Sequence, residues 1–203
     1  MGCDYPTLAA AVTALNLNGV GAGGAIIEIA NGHTETLPNA GLSLGSTTLN
    51  ASLSASNPLI IRKSLTVGAK PVFTSGAGTG GMDAMFKFIG VDFATLENLI
   101  FIESNTNVAS TTQYEYGIML VKRNAVSPVD GCRFNTIRDC EITFRRNTFM
   151  TQTGIYAGNH LATNTSTINY TLSTDAHSFN TIEGKTITNG QHGIYFTGIN
   201  STT

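Results

Sequence analysis

One phrase recurs in this chain, and the recurrence limits its fold more than any other feature. Residues 134–156 read FNTIRDCEITFRRNTFMTQTGIY, and residues 179–195 read FNTIEGKTITNGQHGIY. An earlier copy begins at Phe93-Ala94-Thr95-Leu96, so the copies are offset by 41 (134 − 93) and 45 (179 − 134) residues. Each copy continues with a second apolar stretch: Asn98-Leu99-Ile100-Phe101, Asp139-Cys140-Glu141-Ile142 and Gly184-Lys185-Thr186-Ile187. Each then reaches a third: Tyr116-Gly117-Ile118-Met119, Thr153-Gly154-Ile155-Tyr156 and His192-Gly193-Ile194-Tyr195. A rougher first copy lies at 59–62, 71–74 and 85–89. Short stretches of alternating apolar and polar residues are strands. The turn between the first two strands is always short, and the other connections vary. Constant strands with variable corners predict a stacked solenoid, in which insertions collect at the corners.

In a parallel coil, equivalent residues lie about 4.8 Å apart. Leu96, Ile137 and Ile182 are therefore expected to form one inward column. Phe101, Ile142 and Ile187 form a second, and Ile118, Ile155 and Ile194 a third. Their burial contributes about 25 cal/mol per Å². Phe93, Phe134 and Phe179 stack at a corner, where Asn135 and Asn180 bond the backbone of their own turn.

Upstream, residues 4–19 predict the one helix: Pro6 near its start, an apolar face of Leu8, Ala11, Val12 and Leu15, and Asn18-Gly19 at its end. The glycines of GVGAGG (19–24) follow a helix and precede a strand, the reverse of a phosphate loop. Residues 25–36 are a strand with a turn at Asn31-Gly32, and 41–57 a polar segment without helix. About four coils fill 58–203, giving a single all-β domain over 1–203.

Composition narrows the partners. Of 203 residues, 41% are hydrophobic and 12% charged, about half the usual charged share, which excludes a disordered polyelectrolyte. A net charge of −2 argues against nucleic acid as a partner. Lys122, Arg123, Arg133, Arg138, Arg145 and Arg146 gather between positions 122 and 146; a basic patch stays open, with scattered solvated side chains the better fit. No apolar run reaches the length of a membrane span, and MGCDYPTL has no signal-peptide pattern. Cys3, Cys132 and Cys140 have no metal spacing; a Cys132–Cys140 bridge stays open, with Cys140 the better fit to a small apolar core residue.

The opening GCDYPTLAAAVTALN followed by AIIEIANGHTE, together with N-x-I-x-[ND]-x-x-I and GIY, resembles right-handed parallel β-helix proteins of pectate-lyase-like type, secreted or surface proteins of bacteria. The opening is similar to the N-terminal cap of pectin methylesterases, with His33 where an aromatic residue usually stands. The resemblance implies a right-handed β-helix with three strands per coil and a capping helix at 4–19. It also implies an extracellular or cell-surface location and a polysaccharide or glycan partner. Its catalytic motifs do not carry over: Asp92-Phe93 is followed by Ala94-Thr95, and Gln191-His192-Gly193 lacks a leading glycine. Because GINSTT follows a third strand directly, the chain is expected to be the N-terminal part of a longer protein with downstream domains.

Candidate sites follow from the outward positions. Glu97, Arg138 and Glu183 share a column and read as a surface charge ladder worth about 0–1 kcal/mol per contact. Arg138, Asp139 and Glu141 are the catalytic candidates if the protein is an enzyme. Calcium would need more oxygen ligands than they offer, so no cofactor is expected. His33, His160, His177 and His192 lack zinc spacing, so no metal is expected, although His160 and His177 share one long loop. Met119, Tyr156 and Tyr195 alternate with inward isoleucines and are expected to face out as a platform for sugar rings. Tyrosine also simply suits strand surfaces. The sequons at Asn50, Asn164, Asn169 and Asn200 are expected by chance in so Ser/Thr/Asn-rich a chain. The reading is a non-catalytic extracellular module that contacts glycans. The alternative is a lyase or hydrolase of acidic polysaccharide with part of its machinery outside this sequence, and a phage-tailspike-like protein comes third.

Overall fold

The computed structural model describes residues 4–146 and 151–198. Helix α1 (Leu8–Asn18) is followed by five coils of three strands each. The first coil holds β1 (Ala25–Ile29), β2 (Thr34–Thr36) and β3 (Leu42–Leu44), and a short helix, α2 (Thr47–Ser52), leads to the second. The second holds β4 (Leu59–Lys63), β5 (Val72–Thr74) and β6 (Ala84–Ile89). The third holds β7 (Ala94–Glu97), β8 (Ile100–Ile102) and β9 (Tyr116–Lys122). Then come β10 (Thr136–Arg138), β11 (Glu141–Thr143) and β12 (Thr153–Leu161), and finally β13 (Thr181–Glu183), β14 (Thr186–Thr188) and β15 (His192–Phe196). Every third strand pairs in parallel, giving sheets β1-β4-β7-β10-β13, β2-β5-β8-β11-β14 and β3-β6-β9-β12-β15. That is the arrangement of a β-helix with three strands per coil. No helix of the described residues is long and apolar enough to cross a membrane.

The expected columns are present. Leu96, Ile137 and Ile182 are in register, as are Phe101, Ile142 and Ile187, and Ile118, Ile155 and Ile194. The glycine of the repeated GIY follows from this packing. A methyl on Gly117 would sit 2.5 Å from Ile142 Cγ2 and 2.6 Å from the Gly154 carbonyl, and one on Gly154 would strike Ile187. Bulk on the second sheet is accommodated by its absence on the third.

Two expectations about the early chain are corrected. The segment 41–57 is not merely polar: it supplies β3 and α2, so a complete first coil precedes the four that fill 58–203, and there is a second helix. Ser46 caps α2 by accepting from Leu49 N at 3.0 Å, and Leu49 is buried. One large apolar side chain in six residues leaves too little periodicity to signal a helix. In the first coil, Glu35 occupies the column position that Phe73 fills in the second. Its carboxylate accepts from Leu8 N at 2.6 Å and Ala9 N at 3.0 Å, satisfying N–H groups that open α1. Leu8, Ala11 and Val12 are buried, and α1 packs on α2 and β3.

The asparagines also act differently from expectation. Asn135 Oδ1 accepts from Ala94 N at 2.9 Å while its Nδ2 donates to the Val91 carbonyl at 2.7 Å. Asn180 repeats this one coil later, on Asn135 N at 3.0 Å and the Cys132 carbonyl at 3.0 Å. Each amide thus ties its coil to the preceding one rather than to its own turn. The phenylalanine before it holds a left-handed backbone (φ 55°, 56° and 56° at Phe93, Phe134 and Phe179). The rings stack at 4.9 and 4.8 Å, within 6° of parallel. Aromatic stacking of about 0.5–1.5 kcal/mol per pair offsets part of that backbone strain.

Cys132 and Cys140 are free and buried, so no bridge joins them; Cys3 lies outside the described residues. Burial pushes their thiols up to about 12 and about 11. The charge ladder is longer than expected: Glu28, Arg62, Glu97, Arg138 and Glu183 are successive register partners. Arg62–Glu28 and Arg138–Glu97 close at 2.8 and 2.9 Å.

Candidate functional site

Register places Ser43, Lys87, Met119, Tyr156 and Tyr195 in one column on the third sheet. Met119 is not accessible there. It is 0% exposed, clustered with Ala84 and Val121, and packed against Met82, Tyr116, Tyr156 and Ala162. Alternation put Met119 on the outer side of the sheet correctly; side chains from the corners then cover it, which the strand pattern does not reveal.

Tyr116 takes the place left by Met119 in the aromatic ladder. Its ring lies 4.4 Å from Tyr156, and Tyr156 lies 5.9 Å from Tyr195 at an interplanar angle of 4°. His160 Nδ1 faces the Leu161 carbonyl at 2.8 Å and therefore carries the proton. Its Nε2 then accepts from the Tyr156 hydroxyl at 2.9 Å. Tyr156 is consequently half-buried, with ring neighbours on two sides and its hydroxyl engaged, so it offers an edge rather than a face. Burial raises the Tyr116 hydroxyl to about 12. Tyr195 is 49% exposed, flanked by the His192 ring at 5.9 Å, and presents the most open ring of the three.

The carboxylates near this face are engaged. Asp83 accepts from Thr79 Oγ1 and Gly80 N, both at 2.9 Å, and Glu115 from Asp83 N at 2.8 Å and Gly81 N at 3.2 Å. They fold the loop onto itself and bracket buried Lys87. Burial lowers the Lys87 pKa against the attraction of both carboxylates.

The enzyme candidates from the sequence do not converge. Arg138 donates to Glu97, while the Asp139 carbonyl and Glu141 Oε1 each accept from Lys70 Nζ at 2.8 Å. They sit at the first-to-second-sheet corner, where Arg138 is paired with Glu97 and Glu141 with Lys70. Among the described residues no group of three His, Cys, Asp or Glu side chains could hold a metal ion.

A pocket that the sequence did not single out lies at the opposite corner, where third-sheet strands run back to the first sheet. Its volume is about 390 Å³, and Asn50, Asp92, Arg123, Asp130, Arg133 and Asp175 supply its charged and amide lining. Arg133 grips Asp92 twice, through N at 2.7 Å and Nη2 at 2.9 Å. Arg123 Nε donates to Asp130 Oδ2 at 2.6 Å, and its Nη1 to Thr47 Oγ1 at 3.2 Å. Asn50 is held by the Ile89 and Gly90 carbonyls, so its sequon amide is occupied. Burial raises the Asp92 pKa more than Arg133 lowers it, and Asp130 adds to the rise.

Behind the pocket the chain is locked. Lys122 is 0% exposed, donates to the Asp175 carbonyl and lies 4.3 Å over the Tyr170 ring. Burial lowers its pKa to about 8. His177 accepts from Cys132 N at 3.0 Å and donates to the Gly158 carbonyl at 3.0 Å, pinning the long loop to the coil beneath. Burial pushes its pKa down to about 3, with Lys122 adding to the drop.

No protein-family model, no curated protein and no solved structure matches the chain.

Proposed function

We propose that this chain is a right-handed parallel β-helix module, capped by α1, that contacts glycans outside the cell without altering them. The observation that carries the reading is the Tyr116–Tyr156–Tyr195 ladder, which ends in a half-exposed ring beside His192. A sugar's C–H face packs on such a ring, and ladder edges spaced one coil apart extend the contact along the solenoid. The pectate-lyase-like resemblance of the opening and repeats supports the extracellular placement. The test is a glycan array. Binding is expected for the wild type and about 2- to 12-fold weaker for Tyr195→Ala, the effect of one aromatic contact of about 0.5–1.5 kcal/mol. A silent array contradicts the proposal.

One observation favours a second reading, a lyase or hydrolase of acidic polysaccharide. Asp92, with its raised pKa, shares a pocket with Asp130 and two arginines, as acid–base chemistry requires. Unsaturated uronates or new reducing ends that disappear in Asp92→Asn would establish it. A tailspike-like role ranks third, and a trimer in solution would count for it.

A further inference from the structure

We propose that the corner pocket binds one neutral polyhydroxylated unit, a single sugar ring, through its two arginine–aspartate pairs. The site is separate from the tyrosine ladder, so either can fail alone. Its volume of about 390 Å³ falls in the range of small-ligand sites, about 300–1,000 Å³.

Charge decides the ligand class. Asp92 is paired with Arg133 and Asp130 with Arg123, so the facing charges cancel within the wall. An anion, the acidic polysaccharide of the second reading included, would meet guanidiniums already neutralised and three carboxylates, so a neutral unit fits the wall better. A cation would find no cluster of three ligating side chains among the described residues. A hydroxyl group suits the wall in both senses, donating to a carboxylate and accepting from a guanidinium.

The wall is also held before a ligand arrives. Asp92 takes two bonds from Arg133, and Asp130 is fixed by Arg123 through its carboxylate and by Asp175 Oδ1 through its N–H at 3.3 Å. Such preorganisation lowers the ordering cost of binding. Donor capacity remains: Arg123 spends Nε and Nη1 on protein partners, leaving Nη2 without one among the described residues. Two buried polar atoms at the pocket, Arg133 Nε and Asp175 Oδ2, have no hydrogen-bond partner among the described residues. Buried polar atoms in that condition mark a wall that awaits water or a hydroxylated ligand.

The experiment titrates ¹⁵N-labelled protein with methyl glucopyranoside, methyl galactopyranoside and methyl mannopyranoside. Sodium phosphate and calcium chloride are run as separate probes. Saturable shifts are expected at the Gly90, Asp130 and Arg133 amides with at least one glycoside. Ala51→Trp fills the pocket from the exposed side of α2 and should weaken that binding at least tenfold; Tyr195→Ala should leave it unchanged. Should Ala51→Trp fail to fold, Arg123→Gln removes one pair and should weaken binding in the same way. The proposal is overturned if no glycoside binds, if only phosphate or calcium does, or if the shifts survive in the folded pocket variants.

Discussion

The two ends of the first-sheet strands make an instructive contrast. Where β7, β10 and β13 hand over to the second sheet, the corner is two residues long in all three coils. Its first residue is left-handed each time: φ 57° at Asn98, 52° at Asp139 and 60° at Gly184. Where the third sheet returns to the first, the connection grows from 90–93 to 123–135 to 162–180. The first corner only turns the chain, and geometry dictates its form. The second is free of that duty because Asn135 and Asn180 already fix the coil spacing. It has acquired the pocket, a buried lysine and a histidine staple.

The contrast predicts that changes in the repeated frame cost stability, whereas changes in the variable corner alter binding or pH response. Ile142→Ala empties part of a fully buried column and should destabilise by about 2–5 kcal/mol in urea unfolding. A loss under 1 kcal/mol would mean the column is not the core. Gly154→Ala should cost about 1–3 kcal/mol by overpacking against Ile187. The matching double change Gly154→Ala/Ile187→Val should recover part of it.

His177 gives the variable corner its own signature. Its folded pKa, about 3, lies below the ordinary 6.5, so the unfolded chain takes the proton first. Stability is therefore full above pH 6.5 and falls toward pH 3, by up to about 1.4 kcal/mol per unit. Urea midpoints between pH 7 and 4 should show that slope, reduced in His177→Gln. The smallest effect is expected at the first corner. Asp139→Gly exchanges relief of a left-handed aspartate for lost chain stiffness and should stay within about 0.5 kcal/mol.

What the sequence disclosed follows the same division. The inward columns, the phenylalanine stack and the charge ladder were legible because equivalent residues in a parallel coil must be neighbours. The completion of the first coil was not, since β3 with its LSL and α2 with one buried leucine carry too little pattern. Met119 was placed on the correct side of its strand but not under Met82 and Ala162, because covering by corner residues has no period. Tyr116 was passed over because it stands one place before the GIM of its copy. The pocket left a half-signal, the cluster of Lys122, Arg123 and Arg133. Its acidic partners Asp92, Asp130 and Asp175 come from three different coil connections and meet only once the loops are folded.

The most direct test of this account is glycan binding by the intact protein, compared across three single variants: Asp139→Gly at the fixed corner, Ala51→Trp at the pocket and Tyr195→Ala on the ladder. Undiminished binding in Asp139→Gly, with weaker binding in the other two, is the predicted result. No binding by the wild type, or equal binding by all three variants, would contradict it.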